Sequence, residues 1–507
     1  MPIMHIISTI RCVIKRFLYI LIFLLAINAL LWFFSALRYI GYPYSLDFGE
    51  GILLSQSVML SHGENIYPAI NDYPYIVSNY HPLYPFLCGI PFVFLNPALW
   101  SGRLLTLLSA IGSMFLVGRI VAKISGKIEY GAVAALLPFC LNYPYNWAFV
   151  YRVDHFGIFL SLFGLYLYMF PRQKGSIYWS IIPFMFAFFT KMTFILAPIA
   201  CVIDLLFKKD KKGVKYLLLL IFSIGVPYLI LNLLTGFGMY RHTLIYTANA
   251  FFLTRMIEGY REILEYTLPL WMVIALSIVS GNGKFRTLIM TYLILLLISL
   301  ITYGAEGSDS NYFIELIFAL SIGAIIWFPS FETKNINKNN FQYMQALALI
   351  LIVAFCFQGR VMASKEFGQT HNLRALAESQ KDVDAIVQNT DGEIISEDIT
   401  FLAKNGKRIL FQPYIMSLLA REGKWDQSKF VNDLKNGRFK LIILRFDVFD
   451  PNHTDKPGNL QEAGFDRFTS EMEEAIKEGY GQPYSPKANR GKKWFLYLPK
   501  SRMNAED

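Results

Sequence analysis

Charge is scarce in this sequence. Only 17% of its 507 residues are Asp, Glu, Lys or Arg, where soluble domains carry about 25%. A soluble chain of this length would also need several separate cores. The five cysteines (Cys12, Cys88, Cys140, Cys201 and Cys356) are far apart, lie in or beside apolar segments and form no CxxC. That excludes a disulfide framework, a structural zinc set and cysteine redox chemistry. What is abundant is apolar: 54% of residues are hydrophobic and 16% aromatic, and the mean hydropathy is +0.39. Composition excludes a soluble enzyme, a disordered scaffold, a collagen and a disulfide-framed secreted domain. It leaves a polytopic α-helical membrane protein.

A bilayer span needs about 20 apolar residues. The candidates are Phe17–Tyr39, Leu104–Val121, Tyr130–Leu141, His155–Phe170, Tyr216–Leu233, Leu268–Val279, Thr287–Tyr303, Tyr312–Phe328 and Phe341–Phe357. Ser176–Phe207 is apolar for 32 residues except at Lys191 and Asp204. One helix of that length overshoots the hydrocarbon, so the sequence predicts two short spans meeting near Lys191, and about 11 transmembrane helices in all. The first span follows Arg11, Lys15 and Arg16, is too long for a cleaved signal core, and lacks a polar segment before a small-residue site. It reads as an uncleaved anchor.

Basic residues set the orientation. The N-terminus, Arg119–Lys127, Arg172–Lys174, Lys208–Lys215, Lys284–Arg286 and Lys334–Lys338 are all basic and fall on one side of such an arrangement, which makes that side cytoplasmic. The first external loop, Ile40 to Trp100, holds Asp47, Glu50, Glu64 and Asp72 and no Lys or Arg. The formal charge of +10 resides mostly in residues 1–358, with 24 Lys+Arg against 15 Asp+Glu; the remainder is nearly neutral, 23 against 22. Topology accounts for the surplus, and no nucleic-acid partner is implied. The expected location is the cell inner (plasma) membrane, with the N-terminus cytoplasmic.

Two domains follow: a transmembrane domain, 1–358, with its first external loop at 40–100, and an extracytoplasmic α/β domain, 359–507. In the latter, helical patterns at Asn372–Gln388, Gln427–Asn436 and Ser470–Glu478 alternate with strand patterns at Glu393–Ser396, Lys440–Phe446 and Trp494–Leu498, the order of a small α/β layer. It carries no glycine-rich phosphate loop and no nucleophile elbow. Asn452-His453-Thr454 fits a glycosylation sequon, a triplet common by chance.

Ions in or beside spans are costly and by default functional, unless they snorkel or mark topology. Here they share one depth. Asp47 and Glu50 follow the first span, His81 and Arg103 precede or open the second, and Arg152 and Asp154 start the fourth. Lys191 lies between the fifth and sixth, and Glu306, Asp309, Asn311 and Glu315 occupy the junction of the ninth and tenth. Such convergence suits an active site or a transport vestibule at the external surface. Each residue also has a structural reading. Arg152 and Asp154 fit an ion pair capping a helix start, though residues two apart do not face one another on a helix. Lys191 fits a snorkelling lysine, His81 a packed histidine, and Glu315 a hydrogen-bonded core acid.

At these residues the sequence resembles the polyprenyl-phosphate-sugar-dependent glycosyltransferases of the GT-C superfamily, in the protein-mannosyltransferase-like (family 39-like) branch. The resemblance runs over essentially the whole chain. It is carried by Asp47-Phe48-Gly49-Glu50-Gly51, Asn65-Ile66-Tyr67-Pro68, Tyr80-His81-Pro82-Leu83-Tyr84 and Gly102-Arg103-Leu104-Leu105. Tyr151-Arg152-Val153-Asp154, Thr190-Lys191-Met192-Thr193 (with Met where the family has Gln) and Ser310-Asn311-Tyr312-Phe313-Ile314-Glu315 follow in order. Ile395-Ser396-Glu397-Asp398 and Gly423-Lys424-Trp425-Asp426 are similar to the extracytoplasmic domain often found in this branch. The resemblance implies a GT-C-like fold and sugar transfer from a polyprenyl-phosphate carrier to an acceptor outside the cytoplasm, the acceptor being a lipid, a glycan or a protein. It implies Asp47 as catalytic carboxylate with Glu50 beside it, and Arg103, Arg152 and Lys191 at the lipid phosphate. His81, Tyr84, Asp154, Asn311, Tyr312 and Glu315 would contact substrate, with Asp154 holding Arg152. Some relatives use a divalent cation and others do not, so no cofactor is fixed. The donor's lipid tail would lie among membrane lipids, and loop tyrosines suit headgroup depth.

The rival readings are a polytopic transporter or lipid flippase, and a non-catalytic assembly subunit. Transporters place ions near the midplane between repeated halves; this chain has no internal repeat, and its ions lie near one surface.

Overall fold

The computed structural model describes residues 2–173, 176–279, 285–326, 344–357, 373–450, 467–486 and 494–503. The chain opens with the long helix α1 (Pro2–Ile40), followed by α2 (Phe48–Ser61), α3 (Leu83–Gly89), α4 (Trp100–Ser125), α5 (Ile128–Leu136), α6 (Asn142–Trp147) and α7 (Asp154–Met169). Next come α8 (Ile181–Phe188), α9 (Leu196–Phe207), α10 (Lys212–Leu234), the single turn α11 (Gly238–Tyr240), α12 (Leu253–Val279), α13 (Arg286–Ser299) and α14 (Ile314–Ile326). Helix α15 (Met344–Phe357) closes this part. Over the described residues, each expected span falls mainly on helix. Among the described residues, four stretches are long and apolar enough to cross a bilayer: Val13–Ile40, Trp100–Ser125, Lys212–Leu234 and Arg286–Gly304. The others are shorter or more charged. Helix α14 is buried at every residue and sits at the centre, whereas α10 turns most of its apolar surface outward.

Two segments differ from expectation. Helix α12 begins at Leu253, well before Leu268, because its first turns are amphipathic: Arg255, Glu258, Arg261, Glu262 and Glu265 sit among apolar residues, and Arg261 pairs with Glu265 at 3.0 Å. The loop at 40–100 contains the helices α2 and α3, and α3 with the 3-10 turn and the residues after it exposes Phe86, Ile90, Val93, Phe94 and Leu95.

The predicted break near Lys191 is present. Helix α8 stops before Lys191, whose backbone is extended (φ −157, ψ 130), and a 3-10 turn, Met192–Ile195, leads into α9. A break inside apolar protein strands carbonyl groups. Here the first loop takes them: the Leu83 amide donates to the Phe189 carbonyl at 3.1 Å, and His81 Nδ1 to the Phe188 carbonyl at 2.6 Å.

The C-terminal part forms the expected α/β layer. Helices α16 (Leu373–Asn389), α17 (Thr400–Lys404), α18 (Pro413–Arg421), α19 (Ser428–Lys435) and α20 (Ser470–Gly479) surround strands β1 (Ile394–Ser396), β2 (Leu441–Leu444) and β3 (Phe495–Tyr497). The sheet order is β1-β2-β3, with β1 parallel and β3 antiparallel to β2. All of β1 and β2 is buried, which fits runs of Ile and Leu rather than alternation. The sequon at Asn452 and the proposed boundary at 358/359 lie outside the described residues. The first loop docks on this unit: Tyr75 forms an isolated parallel bridge with Phe411, and Val77 donates its amide to Gln412 Oε1 at 2.9 Å.

One buried ion pair fixes the turn between α1 and α2. Arg103, on α4, is fully buried, as is Glu50. Its Nε and Nη2 grip the Glu50 carboxylate at 2.8 and 2.7 Å, and its other N–H groups donate to the carbonyls of Tyr39, Tyr42 and Tyr44 at 2.6–2.7 Å. The guanidinium's five donors are all used. The remaining acceptor capacity of Glu50 receives the amides of Leu46 and Tyr151, both at 2.7 Å. Arg103→Ala leaves Glu50 as an unpaired buried charge and should destabilise the protein by about 3–5 kcal/mol. Arg103→Lys should recover little of that loss, because an ammonium cannot span carboxylate and carbonyls together. Thermal unfolding in detergent is the measurement, and a melting temperature equal to wild type for Arg103→Ala would show the pair to be dispensable.

Candidate active site

The turn held by Arg103 delivers Asp47 to the N-terminus of α2. Its backbone is extended (φ −128, ψ 146), and its Oδ2 caps the helix by accepting from the Gly49 amide at 2.7 Å. The same oxygen faces Arg152 Nη1 at 3.4 Å. Arg152 comes from the bend between α6 and α7, and its guanidinium lies over the Trp147 ring, 4.8 Å from the centroid. Trp147 is held by a hydrogen bond to Ser310 Oγ at 3.3 Å. A Cβ at Gly49 would fall 1.6 Å from Arg152 Nη1. Glycine is what lets the arginine approach.

A second pair stands beside the first. Lys191 Nζ is 3.1 Å from Asp154 Oδ1, and Asn311 Nδ2 donates to the same oxygen at 2.9 Å. Asp154 Oδ2 is buried without a protein partner. The Lys191 ammonium lies 4.5 Å from the Tyr312 ring centroid and 5.8 Å from that of Tyr80. Asp154 therefore holds Lys191 and not Arg152, which corrects the pairing expected above. At the start of a helix the two neighbours point apart, and each finds its partner on another segment.

Arg152, Lys191, Asp154 and Asn311 line two adjoining cavities; Asp47 is in the wall of neither and meets the larger one through Arg152. The outer, about 340 Å³, has Tyr80, His81, Arg152, Lys191, Asn311 and Tyr312 in its wall, with a rim from 243–249 and 302–308. The inner, about 140 Å³, shares Lys191, Asn311 and Tyr312 and adds Asp154, Glu315, Ser299 and an apolar side from Ile158 and Phe194–Leu196. Glu315 lies in the first turn of α14 and accepts from Tyr292 Oη at 2.5 Å. His81 caps α8 through Nδ1, so in its neutral form Nε2 is an acceptor; that atom is buried without a protein partner, in the outer cavity's wall.

Three expected site residues lie elsewhere. Arg103 has no N–H left for a phosphate, and Glu50 is committed to holding the turn. Tyr84 is fully buried, with its hydroxyl on Gly102 and Thr106. The rim residues Thr243, Leu244, Thr247 and Asn249 carried no signal in the sequence, being uncharged and outside any motif; Tyr80 stood inside the Tyr-His-Pro-Leu-Tyr segment and was readable there.

Burial pushes the Asp47 carboxyl above its ordinary value; the Arg152 charge pulls it back, Glu50 pushes it further, and the net direction is up. Burial, the largest single influence, would lower the Arg152 guanidinium, but Asp47, Tyr80, Asp154 and Asp309 together outweigh it, and Arg152 stays cationic. Burial takes the His81 imidazole down to about 4 against the pull of the Phe188 carbonyl. His81 is neutral at physiological pH. Among the described residues, no group of three His, Cys, Asp or Glu side chains is placed to hold a metal ion.

No protein-family model matches this chain, and no curated protein matches it in sequence. The fold has matches among solved structures. ArnT from Cupriavidus metallidurans in the apo state superposes with a TM-score of 0.59 at 11% identity, covering 93% of this chain and 97% of that one. The same protein bound to undecaprenyl phosphate gives 0.58 at 12% identity, with the same coverage. An oligosaccharyltransferase from Archaeoglobus fulgidus, in complex with Zn and sulfate, covers 92% of this chain and 73% of its own at 12% identity, with a TM-score of 0.47. At such identities the likeness is one of fold. It bears out the expected helical membrane class.

Gly49→Ala should expel the Arg152 guanidinium from Asp47 while α2, in which alanine is favoured over glycine, still forms. A side-chain displacement of this size costs about 100-fold in rate where geometry is decisive. Turnover measured for Gly49→Ala, Arg152→Ala and the double variant should show the double no slower than Arg152→Ala alone. Full multiplicative loss would disconnect the two positions.

Proposed function

We propose that the chain is a membrane glycosyltransferase of the cell inner (plasma) membrane. It moves a sugar from a polyprenyl-phosphate carrier to an acceptor on the extracytoplasmic side, with Asp47 as general base. The observation that carries this reading is the placement of an acid and two cations: Asp47 lies 3.4 Å from Arg152, and Arg152 shares a cavity wall with Lys191. The fold supports it, because a protein with the same fold is seen bound to undecaprenyl phosphate.

The chemistry follows from the parts. An acceptor hydroxyl is a poor nucleophile until its proton is taken as it attacks, and Asp47 takes that proton. The new bond joins the acceptor oxygen to the anomeric carbon. The bond that breaks joins that carbon to the phosphate oxygen, and its electron pair leaves on the lipid phosphate. Arg152 and Lys191 face that developing charge, where preorganised cations in a water-poor site are worth most. Each already carries one carboxylate, so the cavity meets the phosphate with its charges nearly balanced. Asp154 Oδ2, Asn311 and Glu315 offer the inner chamber acceptors and a donor for sugar hydroxyls. The neutral His81 offers Nε2 to a hydroxyl, and Tyr80 and Tyr312 offer ring faces.

Purified protein incubated with labelled polyprenyl-phosphate sugars and membrane extract should yield a labelled product. Asp47→Asn should lower transfer by about 100- to 10,000-fold while the carrier phosphate still binds; an Asn variant that turns over normally removes the base assignment.

The pH profile gives an independent check. Asp47 acts only when ionised, and its carboxyl is raised. Activity should therefore fall with acidification at a pH above about 3.9, the ordinary Asp value. His81 stays neutral down to about 4 and adds no limb near neutrality. An acid limb that is unchanged in Asp47→Glu would assign the titration to another group.

A further inference from the structure

We infer that the C-terminal domain supplies positioning residues for the Asp47 base: Asp398, acting through Ser45, fixes the turn that presents the carboxylate. This rests on the reading of Asp47 given above.

The turn has two supports on opposite sides. Arg103, on α4, and Glu50, on α2, hold its backbone. On the other side the Ser45 hydroxyl is hydrogen-bonded to Asp398 Oδ2, and Asp398 Oδ1 accepts from the Thr400 amide at 3.0 Å. Ser45 and Asp398 are both buried, at 5% and 7% exposure, so water does not compete for the bond. The contact continues past Asp47. A Cβ at Gly51 would lie 2.7 Å from the Thr400 amide nitrogen and 2.6 Å from its hydroxyl, so α17 rests directly on the first turn of α2. Lys404 Nζ stands 4.4 Å from the Tyr44 ring centroid, and the Arg467 guanidinium 3.8 Å from that of Phe48.

Residues 44, 45, 48 and 51 are thus touched by the C-terminal domain, on both flanks of Asp47. The Asp47 carboxylate itself is left to Gly49 and Arg152. Asp398 lines neither cavity. It is a positioning residue, and its effect should appear in the chemical step and not in donor binding.

The test uses full-length protein in lipid nanodiscs, with kcat, donor KM and melting temperature measured for each variant. Ser45→Ala and Asp398→Ala should each lower kcat by about 10- to 100-fold with donor KM within about twofold of wild type. The double variant should be no worse than Asp398→Ala, because both break one link. Asp398→Asn keeps an acceptor for Thr400 and a partner for Ser45 and should restore most of kcat. The inference fails if Asp398→Ala keeps kcat, if the two losses multiply, or if donor KM rises in step with the loss. Ser45→Ala keeps it open to refutation should Asp398→Ala unfold. Asp47→Asn, assayed in parallel, separates the two readings: inactive Asp47→Asn with normal Asp398→Ala removes only the positioning role, while active Asp47→Asn removes the base and the positioning with it.

Discussion

The site depends on a bond network that never touches it. Arg103 and Glu50 are an ion pair with no exposure, and burying two charges costs several kcal/mol each unless their capacity for hydrogen bonds is filled. It is filled here: the five donors of the guanidinium and both carboxylate oxygens have protein partners. Replacing such a pair by apolar side chains often preserves stability, so its use lies in geometry. Five of its partners are backbone atoms of Tyr39, Tyr42, Tyr44, Leu46 and Tyr151. They tie the end of α1, the turn before Asp47 and the residue before Arg152 to one guanidinium–carboxylate plane. The 3.4 Å between Asp47 and Arg152 is inherited from that plane.

The same economy appears at Lys191. Breaking a helix in an apolar setting strands its last carbonyls, and the first loop covers two of them with the His81 ring and the Leu83 amide. The break turns Lys191 toward Asp154, and the cover fixes which imidazole nitrogen faces the cavity. One loop thus brings both Asp47 and the histidine, and each is anchored by a group with a structural task.

Much of the fold was legible because its signals are long. Spans are runs of apolar residues, and the break at Lys191 followed from a run too long for one crossing. The three helices and three strands expected in the C-terminal part fall within two residues of their predicted ends, while α17 and α18, both short, are additional to them. The site was legible only in part. Arg103 and Arg152 look alike in a sequence, each a lone arginine at the mouth of a span. What separates them is the convergence of three carbonyls on one, and carbonyls are invisible in a string of side chains. Tyr84 was likewise indistinguishable from Tyr80. The pairing of Asp154 with Lys191 required knowing which way a helix start faces. The rim at 243–249 has no charge to announce it.

These differences explain how a fold can be shared at 11% identity while no sequence comparison finds a relative. Residues of α10 and α1 that face outward need only be apolar, and any of Leu, Ile, Val or Phe satisfies that demand. Drift there erases identity without disturbing structure. Other positions are tightly constrained, among them Gly49, where a Cβ would strike Arg152; Gly51, where it would strike Thr400; Gly102, where it would lie 2.0 Å from the Tyr151 ring; and Gly157, where it would lie 1.9 Å from the Phe194 ring. Each is a close approach between segments far apart in sequence. A chain with many interchangeable apolar residues is thus pinned at close contacts along its length, and two of them, at Gly49 and Gly51, stand next to Asp47.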